Sequence, residues 1–353
     1  MKRTIDNIQY FRGFAALSVV VGHMINQGLQ WNTFAKVDRV SGGFGVDVFF
    51  AISGIIMWHT GLRNRQNPAT FAWRRVSRIV PLYWIATGIE LILRWVEGNP
   101  TTLAAIACSL LFIPQGINPV LGVGWTLNLE MLFYGLIVLA LLVNRQIAPW
   151  LVIAALALAP VTHPIAKNFG VVGTFWTNPD LYLFALGILI GMAWDRWPQR
   201  LPAASVWGAV AALIVFLVAD NVRGHHLPFP VHIVVGASII AVATFARNID
   251  PKGVMKHLHR LGDASYSLYL SHVLTLGFLK QAVIHLGAPI WTWFVIGFPL
   301  SLLVAFASYH TLERPLTAWL SGRPKSDVLP AVPDDEEADG AATGSAMAAA
   351  HRL

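Results

Sequence analysis

The segment Phe11–Met24, FRGFAALSVVVGHM, would be an ordinary membrane-spanning helix but for two letters. Arg12 is a permanent cation and His23 a titratable imidazole, set eleven residues apart in an otherwise apolar run. Eleven steps of about 100° nearly complete three turns. On a helix both side chains therefore leave from one face, roughly 16 Å apart along the axis. Ionisable groups inside a membrane helix cost several kcal/mol and as a rule face a cavity or a partner. The pair also fits a plainer reading, in which Arg12 snorkels to the headgroups and His23 packs as a satisfied core residue.

Similar apolar runs recur along the chain. Of its 353 residues 56% are hydrophobic and 12% charged, and the mean hydropathy is +0.58. That balance excludes an ordinary soluble domain. Runs of about 20 apolar residues read as transmembrane helices. They fall at 8–27, 44–61, 79–97, 125–143, 148–163, 180–195, 204–220, 231–248, 263–286 and 290–312. The piece TLAAIACSLLFI at 102–113 is too short to cross and predicts a re-entrant or interfacial helix. The expected fold is all-α: a polytopic membrane domain over 1–320 with about ten transmembrane helices and one short re-entrant or interfacial helix. Residues 321–353, rich in Pro, Ala, Gly and acids, predict a disordered cytoplasmic tail.

The charge of +7 does not point to nucleic acid, because the basic residues cluster in loops between apolar runs. With the N-terminus inside, eighteen Lys and Arg fall on inner segments and four, Lys36, Arg39, Lys167 and Arg223, on outer loops. This predicts cytoplasmic N- and C-termini. Counting 102–113 as a span would reverse the later helices and destroy the bias. Lys2 and Arg3 before the first run resemble a signal peptide, but no small-x-small site follows, so an uncleaved first helix is expected. A single cysteine, Cys108, rules out a disulfide framework within the chain and a Cys-rich metal site, and reads as a small core residue.

Other polar residues lie where lipid should be. Asp47, at the outer start of the second span, would share the depth of His23 if the two helices form a hairpin, and a carboxylate there would orient the imidazole. An interfacial Asp at a helix start fits equally. Ser53-Gly54 sits in AISG rather than G-x-S-x-G, so both read as small residues permitting close helix approach. Arg74, Arg75 and Arg78, in FAWRRVSRIVPLYW, mark the inner mouth of the third span; Arg75 and Arg78 share a helical face and suit phosphate. Anchoring to anionic headgroups is the alternative. Glu130, with Asn128 near it, lies a turn and a half inside the fourth span. It fits a general acid or base, a sugar-binding group, or an ion pair with Arg12 or Arg94. DASYSLYLSHVLTLGFL makes the ninth span unusually polar, with His272 either lining a cavity or buried and satisfied. Glu313, Arg314 and Pro315 read as a charged helix end. P-loop and HExxH signatures are absent, and nothing suggests a metal.

Together these stretches resemble the acyltransferase-3 family of bacterial membrane acyltransferases. The resemblance rests on the Arg12–His23 spacing, FGVDVFFAISGIIMW, RRVSRIVPLYW, GWTLNLEMLFYG, SYSLYLSH and the closing ERP, in order over residues 5–316. IDNIQYFRGFAALSVVVGHM and WTLNLEMLFY are most similar to the exopolysaccharide-production branch. The resemblance implies transfer of an acyl group, most often acetyl, from cytoplasmic acyl-CoA to a sugar hydroxyl, in the bacterial inner membrane. It implies CoA phosphates on Arg75 and Arg78 with help from Arg74, His23 as general base or acyl carrier, and Arg12 binding donor or balancing charge. Asp47 or Glu130 would orient His23 or the sugar, and Asn128 and His272 would bind substrate. Partners are then acyl-CoA, a carbohydrate and membrane lipids, with no metal and no nucleic acid. A transporter or flippase also fits ten spans with midplane charge, but its mark, broken spans in two matching halves, is missing. A structural subunit of an export assembly would tolerate loss of His23.

Overall fold

The computed structural model describes residues 5–30, 43–116, 118–198, 200–222 and 228–322. In chain order the helices are α1 (Asn7–Gln30), α2 (Gly43–Met57), α3 (Pro68–Val96), α4 (Leu103–Leu110), α5 (Gly124–Val143), α6 (Ala148–Leu158), α7 (His163–Ala166) and α8 (Gly170–Trp176). There follow α9 (Leu181–Arg196), α10 (Ser205–Val222), α11 (Phe229–Phe245), α12 (Val254–Asp263), α13 (Ser265–His285), α14 (Ile290–Ser308) and α15 (Arg314–Ser321). The described residues form no strand; one isolated bridge joins Leu201 to Ala246.

Among the described residues, seven helical stretches are long and apolar enough to cross a membrane: Asn7–Gln27, Gly43–Leu62, Pro68–Val96, Gly124–Val143, Ala148–Trp176, Ser265–His285 and Ile290–Ser321. They correspond to seven of the ten predicted spans. The other three are α9, α10 and α11, of 16, 18 and 17 residues. At 1.5 Å per residue these rise about 24–27 Å, the short end of the range for a helix that crosses a bilayer. The stretch at 102–113 holds the eight-residue α4, capped by Thr102, whose hydroxyl accepts from Ala105 N. Cys108 on α4 is only partly buried, so it is not a core residue. The predicted tail lies, beyond Gly322, outside the described residues, as do Lys36, Arg39 and Arg223 of the charge count.

Two elements depart from the expected layout. The third span begins at Pro68 instead of residue 79. Asn67 caps it by accepting from Ala69 N (3.0 Å) and Thr70 N (3.4 Å), and Pro68 takes the first helical position. Arg74, Arg75 and Arg78 are thus helical residues, and Pro81 sits inside α3 without ending it. The basic segment before the ninth span is the helix α12, which lies against α1: a Cβ on Gly262 would fall 2.0 Å from Gln9 O.

Packing explains the small residues. Where α2 meets α9, a Cβ on Gly54 would come within 2.3 Å of Phe184 O, and one on Gly187 within 2.1 Å of Ala51 O. Glycine is what lets these backbones touch. Nearby, Phe50, Phe133 and Phe184 form a ring stack with centroids 4.6 and 4.4 Å apart. On the outside, Leu142, Val215 and Leu303 are each about two-thirds exposed, as side chains facing lipid should be. The ERP motif closes the bundle: Glu313, on a π-helical turn at Tyr309–Glu313, accepts from Ser267 N (3.1 Å) and Ser267 Oγ (2.6 Å) in the first turn of α13. A carboxylate there meets the positive end of the helix dipole.

Candidate active site

Helices α1, α2, α3, α5 and α13 enclose a cavity of about 110 Å³. Its lining includes the cations Arg12, Arg75 and Arg78 together with Ser53, Glu130, Tyr134, Tyr266 and Tyr269. Arg12 is buried; it donates to Gln9 Oε1 (2.9 Å) and across to Ser265 Oγ on α13 (2.8 Å). Arg75 is buried too, lies 5.6 Å over the Phe71 ring, and donates to Thr60 Oγ1 (2.9 Å) on the π-helical turn Trp58–Leu62. Its Nε has no partner among the described residues. Glu130 Oε1 accepts from Ser53 Oγ (3.3 Å) and from the Tyr134 hydroxyl one turn along α5.

His23 lies beyond this chamber, toward the other end of α1. Its Nδ1 is 2.7 Å from His272 Nε2, and the two rings lie edge to edge and nearly coplanar, with centroids 5.0 Å apart and 15° between their planes. His272 is fully buried, and its Nδ1 donates to Leu268 O (2.9 Å). Tyr269, one turn below on α13, walls the chamber and stands 6.2 Å from the His272 ring. Its hydroxyl donates to Val123 O (2.9 Å) and meets Thr126 Oγ1 at 2.7 Å, pinning the divide between chamber and histidines. On the far side His23 lines a second cleft of about 480 Å³ with Asn26, Gln27, Glu90, Glu97, Lys280 and Gln281.

The structure thus brings together Arg12, Arg75, Arg78 and Glu130 in one chamber, and His23 and His272 in one pair. Asp47 stands apart: its carboxylate is 3.4 Å from His232 Nδ1 on α11, and the partner that holds His23 is His272. Glu130 does not orient His23 either, and Arg94 pairs with Glu90 (2.8 Å) in place of Glu130. Asn128 is buried on α5 outside the chamber lining, its Oδ1 without a partner among the described residues. Arg74 also lies outside the lining. Sequence reasoning missed the cleft residues Gln27, Glu90, Lys280 and Gln281. The signal available was charge in an apolar run at Glu90 and Lys280. Ser265, Tyr269 and His272, spaced i, i+4, i+7, mark the inward face of α13. No group of three or more His, Cys, Asp or Glu suited to a metal occurs among the described residues.

A chamber lined by cations, with an imidazole pair beyond it and a polar cleft behind, is a layout suited to a membrane-embedded enzyme. Comparison with known proteins specifies which kind. Residues 5–310 match the acyltransferase domain family Acyl_transf_3. The chain is 35% identical over 311 residues to the exopolysaccharide production protein ExoZ of Rhizobium meliloti (strain 1021), covering 80% of this chain and 94% of that one. It is 25% identical over 363 residues to the O-acetyltransferase OatA of Staphylococcus aureus (strain NCTC 8325 / PS 47), covering 89% of this chain and 57% of OatA, so it spans little more than half of that relative. No solved structure matches. The chain belongs to the acyltransferase-3 family and is a membrane O-acyltransferase.

Proposed function

We propose that the protein carries an acetyl group from cytoplasmic acetyl-CoA to a hydroxyl of an exopolysaccharide or its lipid-linked precursor, in the bacterial inner membrane with both termini inside. The observation that carries the donor assignment is the buried guanidinium of Arg75, whose Nε–H is unused while Arg12 and Arg78 line the same small chamber. Three guanidinium groups facing one cavity suit the phosphates of a nucleotide thioester, because Arg grips phosphate with paired N–H donors. The thioester end would pass Tyr269 to reach His23. There the acceptor oxygen attacks the thioester carbonyl carbon as His23 takes the hydroxyl proton. The C–S bond breaks, and His23 returns the proton to the thiolate of CoA. Similarity to ExoZ over nearly its whole length supports a polysaccharide acceptor. Arg12 supplies charge balance and donor contacts, and Glu130 sets the Tyr134 hydroxyl.

The test uses purified protein in nanodiscs with radiolabelled acetyl-CoA. Wild-type protein should transfer or hydrolyse the acetyl group. Arg75→Ala and Arg78→Ala should each raise the KM for acetyl-CoA about tenfold, the loss of one charged hydrogen-bonding contact. Unchanged KM in both variants would remove the donor from this chamber, and wild-type protein inert toward acetyl-CoA would favour a carrier.

A further inference from the structure

The hydrogen bonds around His272 fix more than its own position. Its Nδ1 faces the Leu268 carbonyl at 2.9 Å. A carbonyl only accepts, so Nδ1 carries the hydrogen, and in a neutral ring Nε2 is then a bare acceptor. That Nε2 lies 2.7 Å from His23 Nδ1, which must therefore donate. Neutral His23 is left with one basic nitrogen, Nε2. No hydrogen bond to Nε2 occurs among the described residues, and the ring lines the cleft of about 480 Å³.

The cleft differs from the arginine chamber in chemistry. Asn26, Gln27, Glu90, Lys280 and Gln281 line it; Glu90 is shared with Arg94 and Gln281 donates to Glu97, while Gln27 Oε1 is buried there with no partner among the described residues. Mixed amide, carboxylate and ammonium groups suit a neutral polyol, whose hydroxyls both give and take hydrogen bonds. We propose that this cleft is the acceptor site for a sugar, and that His272 is a positioning residue that holds His23 in the tautomer presenting its basic Nε2 there. Donor and acceptor then approach His23 from opposite ends of the bundle. This deepens the proposed function and rests on it for the identity of the sugar.

Two measurements test it. The first is ¹⁵N NMR of histidine-labelled full-length protein in nanodiscs, with His23→Ala used to assign the signals. The expected spectrum has His23 protonated at Nδ1 and bare at Nε2, and His272→Phe should erase that bias. A His23 protonated at Nε2 would overturn the proposal whatever the activity. The second compares variants for acetyl-CoA binding and for O-acetyl content of polymer made in the producing cell. Gln27→Trp, which fills the cleft, should abolish polymer acetylation while acetyl-CoA still binds with wild-type Kd. His272→Phe should lower acetylation about 100-fold, the scale of losing a positioned base, and His272→Gln, which keeps an acceptor, should recover at least a tenth of wild-type activity. Normal acetylation by Gln27→Trp, or a matching loss of acetyl-CoA binding, would overturn the acceptor assignment. Equal activity of the Phe and Gln variants would reduce His272 to a packing residue. Wild-type protein that turns over no acetyl-CoA would sink the proposed function while leaving the tautomer result standing.

Discussion

At the scale of single residues, Arg12 and His23 sit at two different places along one helix, one in the arginine chamber and one in the histidine pair. Their spacing was readable because 3.6 residues per turn puts positions eleven apart on one face; what lay opposite each was not. Arg12 meets Ser265 and His23 meets His272, partners about 250 positions away in sequence, and no local pattern announces such contacts. The expectation that Asp47 would orient His23 assumed that equal depth means contact. Asp47 sits near the start of α2 on the side facing α11, so His232 takes it. Glu130 supports a sharper expectation. It is a carboxylate in the wall of a chamber lined by three arginines. Glu130→Gln should therefore tighten acetyl-CoA, lowering its KM about threefold by removing one unfavourable charge, while kcat falls as Tyr134 exchanges a carboxylate acceptor for a weaker amide oxygen. Steady-state kinetics separates the two effects, and a raised KM would contradict this placement.

At the scale of elements, close helix contact and end-capping keep the site in register. The α2–α9 crossing depends on Gly54 and Gly187, and its closeness was foreseen from the small pair Ser53-Gly54, though not its partner. Gly54→Leu forces a side chain into the Phe184 carbonyl and should cost about 3 kcal/mol, the upper range for overpacking. A thermal-shift assay in detergent should show a clear drop in Tm, and an unchanged Tm would mean the helices separate freely. Glu313→Ala strips two hydrogen bonds from the start of α13, the helix that carries Ser265, Tyr269 and His272. It should destabilise by about 1–3 kcal/mol through the unsatisfied Ser267 N–H, and acetyl transfer should fall with it. The early start of α3 was hidden by the arginines that read as a loop, although Asn67-Pro68 is a legible helix start.

At the scale of the whole molecule, composition alone made an all-helical membrane fold legible, because apolar runs of this length have few other uses. The number of crossings was less legible. Hydropathy reads α9, α10 and α11 as spans; folded they have 16, 18 and 17 residues, the short end of what crosses a bilayer. The eighteen-to-four bias of basic residues bears on orientation. In a Cys108→Ala background, Asn99→Cys at the end of α3 and Gln146→Cys between α5 and α6 place thiols at exposed sites on opposite ends of the bundle. An impermeant maleimide on intact cells should label residue 99 and spare residue 146. The reverse pattern would invert the topology and put the arginine chamber out of reach of cytoplasmic CoA.

The central claim is that His23 performs the transfer chemistry. Its most direct test is His23→Ala in the producing cell, with NMR of the purified polymer for O-acetyl signals and a blot confirming normal protein levels. The expected result is polymer in normal yield with its acetyl signals gone. Acetyl signals at wild-type intensity would contradict it, and loss of the polymer itself would point to a carrier in place of an acyltransferase acting on the finished chain or its precursor.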